Sequence, residues 1–278
     1  MQIDAHQHYW NPARGDYGWM PKGDGVLDRP YLPADLAPAL AAAGVDRTVL
    51  VQAAPTVEET EYLLGIADAT PSVAAVVGWV DFEDPGNRAV LARLAGHPKF
   101  RGVRPMIQDI PDDDWMLRPE VQWAYAALAE LDLSFDALGF PRHLRNFHRI
   151  LTRYPGMRAV IDHFMKPQIR DDSAEHFRFW AEGMTRLARD TAACVKFSAL
   201  ITEDRPDWSV ERLRPYFGHV LEVFGPDRVM WGSDWPVCRL RAEYEGWRAA
   251  AEALTAGLPA AARARIFGGT AAAFYRIG

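Results

Sequence analysis

The chain has 278 residues, 49% of them hydrophobic and 24% charged, which is typical of a globular protein with a large core. The net charge is −6 and no Lys/Arg cluster occurs, so neither nucleic acid nor an anionic membrane is expected as a partner. The two cysteines, Cys194 and Cys238, have no spacing that predicts a disulfide framework or a zinc knuckle.

The N-terminus predicts neither export nor membrane insertion. Met1 leads directly into a strand-like run at residues 2–6, without the charged and apolar regions of a signal peptide. No apolar stretch approaches the length of about 18 residues that a membrane span requires. We therefore expect a soluble, cytoplasmic protein, and the sequence leaves open whether it forms a homo-oligomer.

Strand-like apolar runs alternate with helical stretches rich in Ala, Leu, Arg and Glu along the whole chain. The predicted strands are Gln2–His6, Arg47–Gln52, Val73–Val80, Gly102–Ile107, Leu133–Leu138, Arg158–His163, Ala193–Ser198 and Arg228–Ser233. The predicted helices between them include Val57–Thr70, Asn87–Ala95, Glu120–Glu130, Pro141–Tyr154, Ala174–Asp190 and Val210–Phe224. Eight such units favour a closed barrel over an open sheet, so we predict a single-domain (β/α)₈ TIM-type barrel spanning residues 1–278.

The connection after the first predicted strand, Tyr9–Leu32, is the longest of the chain and is rich in Trp, Pro, Gly and Asp. Plain connections between a strand and a helix are usually shorter, and long loops in compact domains often carry function. We therefore interpret this loop as a lid or a substrate wall.

Polar side chains capable of chemistry lie where the predicted strands end. His6 and His8 form a His-x-His pair whose two-residue period sends both imidazoles to the same side of the strand. His163 ends the sixth predicted strand and Asp234 follows the eighth. Each has an ordinary structural explanation by itself, but the carboxyl ends of barrel strands meet at one face, so together these residues predict one active site.

The segments around these residues resemble one known family. They are residues 4–8 (DAHQH), 100–104 (FRGVR), 161–163 (IDH) and 232–236 (GSDWP). They resemble the amidohydrolase superfamily, in particular its amidohydrolase-2 branch and the group of sugar lactonases and 2-pyrone-4,6-dicarboxylate lactonases. The resemblance implies a lactone-opening hydrolase in which Asp234 is the general base and His6, His8 and His163 orient the attacking water.

The residues leave the metal content open. Three histidines and a carboxylate, His6, His8, His163 and Asp234, suit one divalent ion such as zinc. The fifth predicted strand carries no Lys or His, so a two-metal site is not expected. Members of the resembled lactonase group are thought to work without metal, and an ester needs less Lewis-acid help than an amide. We therefore predict that a metal is possible but not required.

Two cations and three aromatic side chains are expected to bind the substrate. Arg104 on strand four and Lys196 on strand seven would contact the lactone carbonyl or hydroxyl groups. Trp10, Trp79 and Trp235 lie near the carboxyl ends of predicted strands or in the loops that follow, where aromatic faces pack against the CH faces of sugars.

Three reactions compete at this point. A neutral sugar lactone, such as L-fucono- or L-rhamnonolactone, fits a site with few cations. A planar pyrone dicarboxylate would require several arginines to neutralise its two carboxylates. A metal-dependent decarboxylase of the same branch would require a firmly held ion. We expect the sugar lactone, with the pyrone lactonase and the decarboxylase as alternatives.

Overall fold

The computed structural model describes residues 1–278, and eight parallel strands form its central sheet. The strands are β1 (Ile3–Gln7), β2 (Arg47–Val51), β3 (Val73–Gly78), β4 (Phe100–Val103), β5 (Ser134–Ala137), β6 (Arg158–Ile161), β7 (Cys194–Phe197) and β8 (Val229–Trp231). Neighbours in sequence are neighbours in the sheet, and β8 returns to β1 through a parallel bridge between Gln7 and Trp235. The predicted (β/α)₈ TIM-type barrel is confirmed.

Helices surround this barrel. They are α1 (Pro33–Ala43), α2 (Val57–Ala69), α3 (Arg88–Ala95), α4 (Gln122–Glu130), α5 (Leu144–Arg153), α6 (Ala174–Asp190), α7 (Leu200–Glu203), α8 (Val210–Phe224), α9 (Tyr244–Thr255), α10 (Ala260–Ala264) and α11 (Thr270–Tyr275). Local capping explains several starts, because Thr56, Ser173 and Ser209 each accept a backbone N–H of the first turn that follows. None of these helices has the length and apolar character needed to cross a membrane.

The predicted strands and helices differ from the observed ones mainly at their ends. The helices predicted at residues 174–190 and 210–224 lie at the same residues in the structure. The helix predicted at 141–154 begins with a separate 3₁₀ turn, Pro141–His143. Four of the predicted strands extend two or more residues beyond the ends of the observed β3, β4, β6 and β8, because the chain leaves the sheet early where functional loops begin. The predicted fourth strand also starts two residues late.

The barrel interior is apolar at the end opposite the functional loops. Ile3, Ala5, Val49 and Val51 from the first two strands pack there with residues of the C-terminal helix α11. The helix supplies Phe274 and Tyr275, both buried, and so covers that end of the barrel. The carboxyl ends of the strands are therefore left as the place for a ligand.

Candidate active site

A bulge in β1 aims the two histidines of the His-x-His pair into the barrel. Asp4 pairs with Thr48 but Gln7 pairs with Leu50, so β1 has one residue more than β2 between the two pairs. Such an extra residue shifts the alternation of side chains along the strand. The carboxylate of Asp4 accepts the displaced N–H of His6 at 3.1 Å. The Nε2 atoms of His6 and His8 consequently lie 3.2 Å apart.

Gly232 makes room for this arrangement on β8's side of the barrel. A Cβ atom at this position would stand 2.7 Å from Cβ of His6, closer than carbon atoms approach without a shift. The backbone N–H of the next residue, Ser233, donates to Asp4 at 2.8 Å. The first and last strands are therefore joined at the level of the histidines.

His163 and Asp234 lie on left-handed backbone just beyond their strands. Their φ angles are 54° and 56°, and His163 opens a run of four left-handed residues that ends at Lys166. A left-handed residue other than glycine costs about 1–2 kcal/mol, so this turn is strained. The strain accompanies a sharp change of chain direction, and both side chains point into the same space as His6 and His8.

Asp234 stands among all three imidazoles. Its Oδ1 atom lies 3.2 Å from Nε2 of His8, 3.6 Å from Nε2 of His6 and 3.9 Å from Nε2 of His163. The four residues predicted from the sequence are thus brought together around one small volume.

Hydrogen bonds hold two of the imidazoles from behind. Nδ1 of His8 lies 2.8 Å from the carbonyl oxygen of Val51, which only accepts, so His8 carries its proton on Nδ1 and presents the Nε2 lone pair to the site. Nδ1 of His163 lies 2.8 Å from the hydroxyl of Ser198, the inward-facing residue after β7. Both rings therefore have defined orientations.

Asp234 is ionised at neutral pH, whereas His163 and His6 are neutral because burial lowers the pKa of each imidazole. Burial alone would raise the pKa of Asp234, but the adjoining His163, His8 and His6 outweigh it and hold that pKa well below the ordinary value. Burial lowers the pKa of His163 to about 4, although Asp234 and Asp162 oppose the shift. An ionised carboxylate beside a neutral imidazole is the protonation state that a general base requires.

The same donor set fits a zinc ion. Ligands bound tetrahedrally at about 2.0–2.1 Å from zinc lie roughly 3.4 Å from one another. Donor atoms of His6, His163 and Asp234 all lie within 4.8 Å of one another, and Nε2 of His8 is 3.2 Å from Asp234. On chemistry and spacing these residues are able to hold one ion.

A second ion has no comparable set of ligands. The carboxylate on the middle strand β5, Asp136, is fully buried, and its Oδ2 atom accepts from Lys196 at 2.6 Å and from Tyr275 at 2.7 Å. Its oxygens are therefore engaged below the site.

A cavity of about 200 Å³ opens above the four residues. Asp234, His8 and His163 form its floor, and Trp10, Trp19, Arg104 and Lys166 are among its other lining residues. The long loop predicted as a wall provides Trp10 and Trp19, and hydrogen bonds between Trp10 and Tyr31 close the base of that loop. His6 is fully buried beneath this floor.

Arg104 faces the cavity, as expected from its position on β4. Its guanidinium donates to Asp162 at 3.3 Å and to the backbone carbonyl of Gln52. Its Nε atom has no protein partner, and 4% of the residue is exposed. A fixed guanidinium at the edge of the cavity is suited to binding a carbonyl or hydroxyl oxygen.

Lys196 is placed differently from the expectation of a substrate contact. It is fully buried below His6, where its ammonium lies 2.6 Å from Asp136, 3.0 Å from Asp162 and 3.1 Å from Nδ1 of His6. Two carboxylates draw the ammonium inward, because a buried charge is stable only when it is paired. Lys196 therefore supports His6 and does not line the cavity.

Sequence reasoning missed the carboxylate at the centre of this network. Asp162 bridges Lys196 and Arg104. Lys196 and the adjoining His6 hold the pKa of Asp162 well below the ordinary value, although complete burial opposes the shift. The only sequence signal was its place directly before His163 at the end of a predicted strand.

The three expected tryptophans are divided among different places. Trp10 lines the catalytic cavity. Trp235 is buried and does not line the catalytic cavity. Its ring packs edge-on against Tyr31, with 5.1 Å between the ring centroids. Trp79 lines a larger neighbouring cavity, of about 660 Å³, at the ends of β2, β3 and β4.

Comparison with known proteins identifies the family. The amidohydrolase family model matches residues 3–277. An L-fucono-1,5-lactonase from Burkholderia ambifaria is 46% identical to this chain, over 100% of the chain and 96% of that protein. The chain belongs to the amidohydrolase family. A second relative of that family, an L-fucono-1,5-lactonase from Burkholderia multivorans, is 35% identical over the same shares of both chains.

A solved structure supports the same assignment. An amidohydrolase from Burkholderia multivorans with bound zinc superposes on this amidohydrolase with a TM-score of 0.94, at 33% identity and over the full length of both chains. The predictions that the chain resembles this family and is an enzyme are confirmed.

Proposed function

We propose that this amidohydrolase opens a small neutral sugar lactone of the L-fucono-1,5-lactone type, with Asp234 as general base. The observation that carries the proposal is one ionised carboxylate among three imidazoles at the floor of a cavity that also exposes an arginine. Relatives 46% and 35% identical over the full chain, both L-fucono-1,5-lactonases, support this class of substrate.

The proposed reaction begins with Asp234 taking a proton from a water molecule held near His8 and His163. The water oxygen attacks the lactone carbonyl carbon, and the negative charge that develops on the carbonyl oxygen is stabilised by Arg104. Collapse of the tetrahedral intermediate breaks the bond to the ring oxygen, which receives the proton from Asp234. The product is a hydroxy acid that ionises in water.

A zinc ion held by His6, His163 and Asp234 would lower the pKa of a bound water and polarise the carbonyl. We keep the prediction that the ion is not required, because ester hydrolysis makes a smaller demand on a Lewis acid than amide hydrolysis does. Exhaustive chelation is therefore expected to leave most of the lactonase activity. Loss of turnover on chelation and its return with zinc would contradict this prediction. It would show that His6, His8, His163 and Asp234 act mainly as metal ligands.

The cavity favours a neutral lactone over a pyrone dicarboxylate. Arg104 and Lys166 are the only arginine and lysine among its lining residues. Lys196, the second cation expected there, already pairs with two carboxylates. Two substrate carboxylates would thus have few partners.

A pH-indicator screen tests the proposed function. The substrates are L-fucono-1,5-lactone, L-rhamnonolactone and 2-pyrone-4,6-dicarboxylate, each with and without chelator, and carbon dioxide release from aromatic acids tests the decarboxylase alternative. We expect acid release from a neutral sugar lactone to be fastest. A preference for the pyrone, or decarboxylation without lactone opening, would overturn the proposal.

A further inference from the structure

The larger cavity borders the catalytic cavity along two loops. Trp19 and Met106 line both cavities. After β4 the chain presents Arg104 to the catalytic cavity and the next residue, Pro105, to the larger one. The two spaces therefore adjoin at the carboxyl ends of the strands.

The two cavities differ in charge. Carboxylates line the larger one, and no arginine or lysine does. These carboxylates are Asp16, Asp81, Glu83 and Asp109. The catalytic cavity instead holds two cations, Arg104 and Lys166, beside one carboxylate, Asp234. An anionic group is therefore less disfavoured on the catalytic side, next to Arg104, than in the larger cavity.

Aromatic rings form the apolar part of the larger cavity. They belong to Trp19, Trp79, Phe82 and Trp115. The indole N–H of Trp115 donates to Glu83 at 2.9 Å, and that of Trp19 donates to the carbonyl of Ala53 at 2.6 Å. Both rings are therefore held in place before a ligand binds.

Carboxylates of this cavity are accessible to a ligand. Glu83 and Asp109 are exposed and Asp81 is half-buried, whereas Oδ2 of Asp16 accepts from Arg14 at 2.7 Å and its Oδ1 atom is buried. Hydroxyl groups satisfy carboxylate oxygens, and aromatic faces pack against the CH faces of a sugar ring. The combination suits a neutral, hydroxylated ring.

We propose that the larger cavity is a subsite for a neutral sugar ring attached to the lactone, so that the enzyme accepts glycosylated aldonolactones. This inference rests on the proposed function. The difference in charge orients such a substrate, because the lactone group that becomes a carboxylate lies beside Arg104 while the neutral ring occupies the aromatic space.

The experiment compares the best aldono-1,5-lactone of the screen with its derivatives carrying one glucosyl group on each ring hydroxyl in turn. At least one derivative is expected to be hydrolysed with a kcat/KM equal to or above that of the parent. If every derivative has a kcat/KM below that of the parent, the proposed subsite is overturned. Failure of the parent itself would overturn the proposed function, and this inference with it.

Two variants locate the effect. Gly18 lines the cavity and an added Cβ meets nothing within 4 Å, so Gly18→Phe fills the space without a backbone clash. Gly18→Phe and Trp115→Ala should each lower the ratio of kcat/KM for the preferred derivative to that for the parent at least tenfold. Trp208→Ala, at a tryptophan that lines neither cavity, should leave the ratio unchanged. An unchanged ratio in Gly18→Phe would overturn the assignment even if Trp115→Ala fails to fold.

Discussion

No lysine or arginine nitrogen lies within 4 Å of the Asp234 carboxylate. Its neighbours are imidazoles, of which His163 has a pKa lowered to about 4 by burial. Its left-handed backbone, with φ 56°, and the hydrogen bond from its N–H to the carbonyl of His6 at 2.7 Å fix its position at the mouth. Placement and ionisation together make it the best candidate for the proton acceptor.

Asp234→Asn should lower kcat for lactone hydrolysis at least about 100-fold, the lower limit of what general-base catalysis contributes. The amide keeps the shape of the side chain but has no basic oxygen. Steady-state kinetics measures the loss, and thermal unfolding checks that the fold persists. Asp227→Asn, at an exposed aspartate, is the control. Near-normal turnover in Asp234→Asn would reject the proposed base.

Arg104→Met should lower kcat/KM at least tenfold, which corresponds to about 1.4 kcal/mol of transition-state stabilisation. The change removes the donor proposed to stabilise the carbonyl oxygen and also one cation from Asp162. Arg101→Met is the matched control, because Arg101 lines neither cavity. If both variants keep normal kinetics, Arg104 has a structural role only.

At the scale of elements, the first turn of α2 supports one wall of the cavity. Glu59 is fully buried, and its carboxylate accepts the N–H groups of Ala53 at 3.0 Å and of Ala54 at 2.9 Å. Ala53 lines the catalytic cavity. Burial raises the pKa of Glu59 from its ordinary 4.5 to about 7 in spite of these hydrogen bonds. The protonation state of Glu59 therefore affects the hydrogen bonds that hold the loop after β2.

Glu59 should make the protein less stable as the pH rises from about 4.5 to about 7. In this range the folded state retains a proton that the unfolded state has released, so the free energy of unfolding falls with pH. The difference in free energy of unfolding between wild type and Glu59→Gln should change by at most about 3.5 kcal/mol, at roughly 1.4 kcal/mol per pKa unit. Urea unfolding at several pH values measures it. Glu58→Gln, at the exposed neighbour, should show no such change, and a flat difference for Glu59→Gln would reject the assignment.

At the scale of the whole molecule, a buried network of alternating charges joins the active site to the closed end of the barrel. Arg104, Asp162, Lys196 and Asp136 follow one another by ion pairs at 3.3, 3.0 and 2.6 Å. Tyr275 of α11 donates to Asp136 at 2.7 Å from the other end. Loss of one member leaves a buried charge without its partner, which is costly.

Tyr275→Phe should reduce the free energy of unfolding by about 1.5–3 kcal/mol, the usual range for a hydrogen bond to a charged group. Tyr125→Phe is the matched control, because Tyr125 is equally buried and its hydroxyl has no partner. That change should be close to neutral. Denaturant unfolding of both variants measures the difference, and equal losses would show that the Asp136 contact contributes little.

The barrel and the polar residues at the carboxyl ends of its strands were predictable from the sequence. The side-chain periods of a strand, two residues, and of a helix, 3.6 residues, involve residues that are close in sequence. The order of the eight strands and the polar residues at their ends can therefore be recognised from the sequence alone. The pairing of His6 with His8 on one side follows in the same way. Helices α6 and α8 begin at local caps, which explains why their ends were predicted correctly.

The direction and partners of individual side chains depended on the tertiary structure. The bulge in β1 and the left-handed turn from His163 to Lys166 change the direction in which side chains point, and no local sequence pattern predicts either feature. Lys196 pairs with Asp136, which is 60 residues away, and Trp79 lies in a different cavity from Trp10. Sequence periodicity therefore determined which residues meet at the mouth. Burial decided which of them face the substrate, because the stability of a buried charge depends on partners from distant strands.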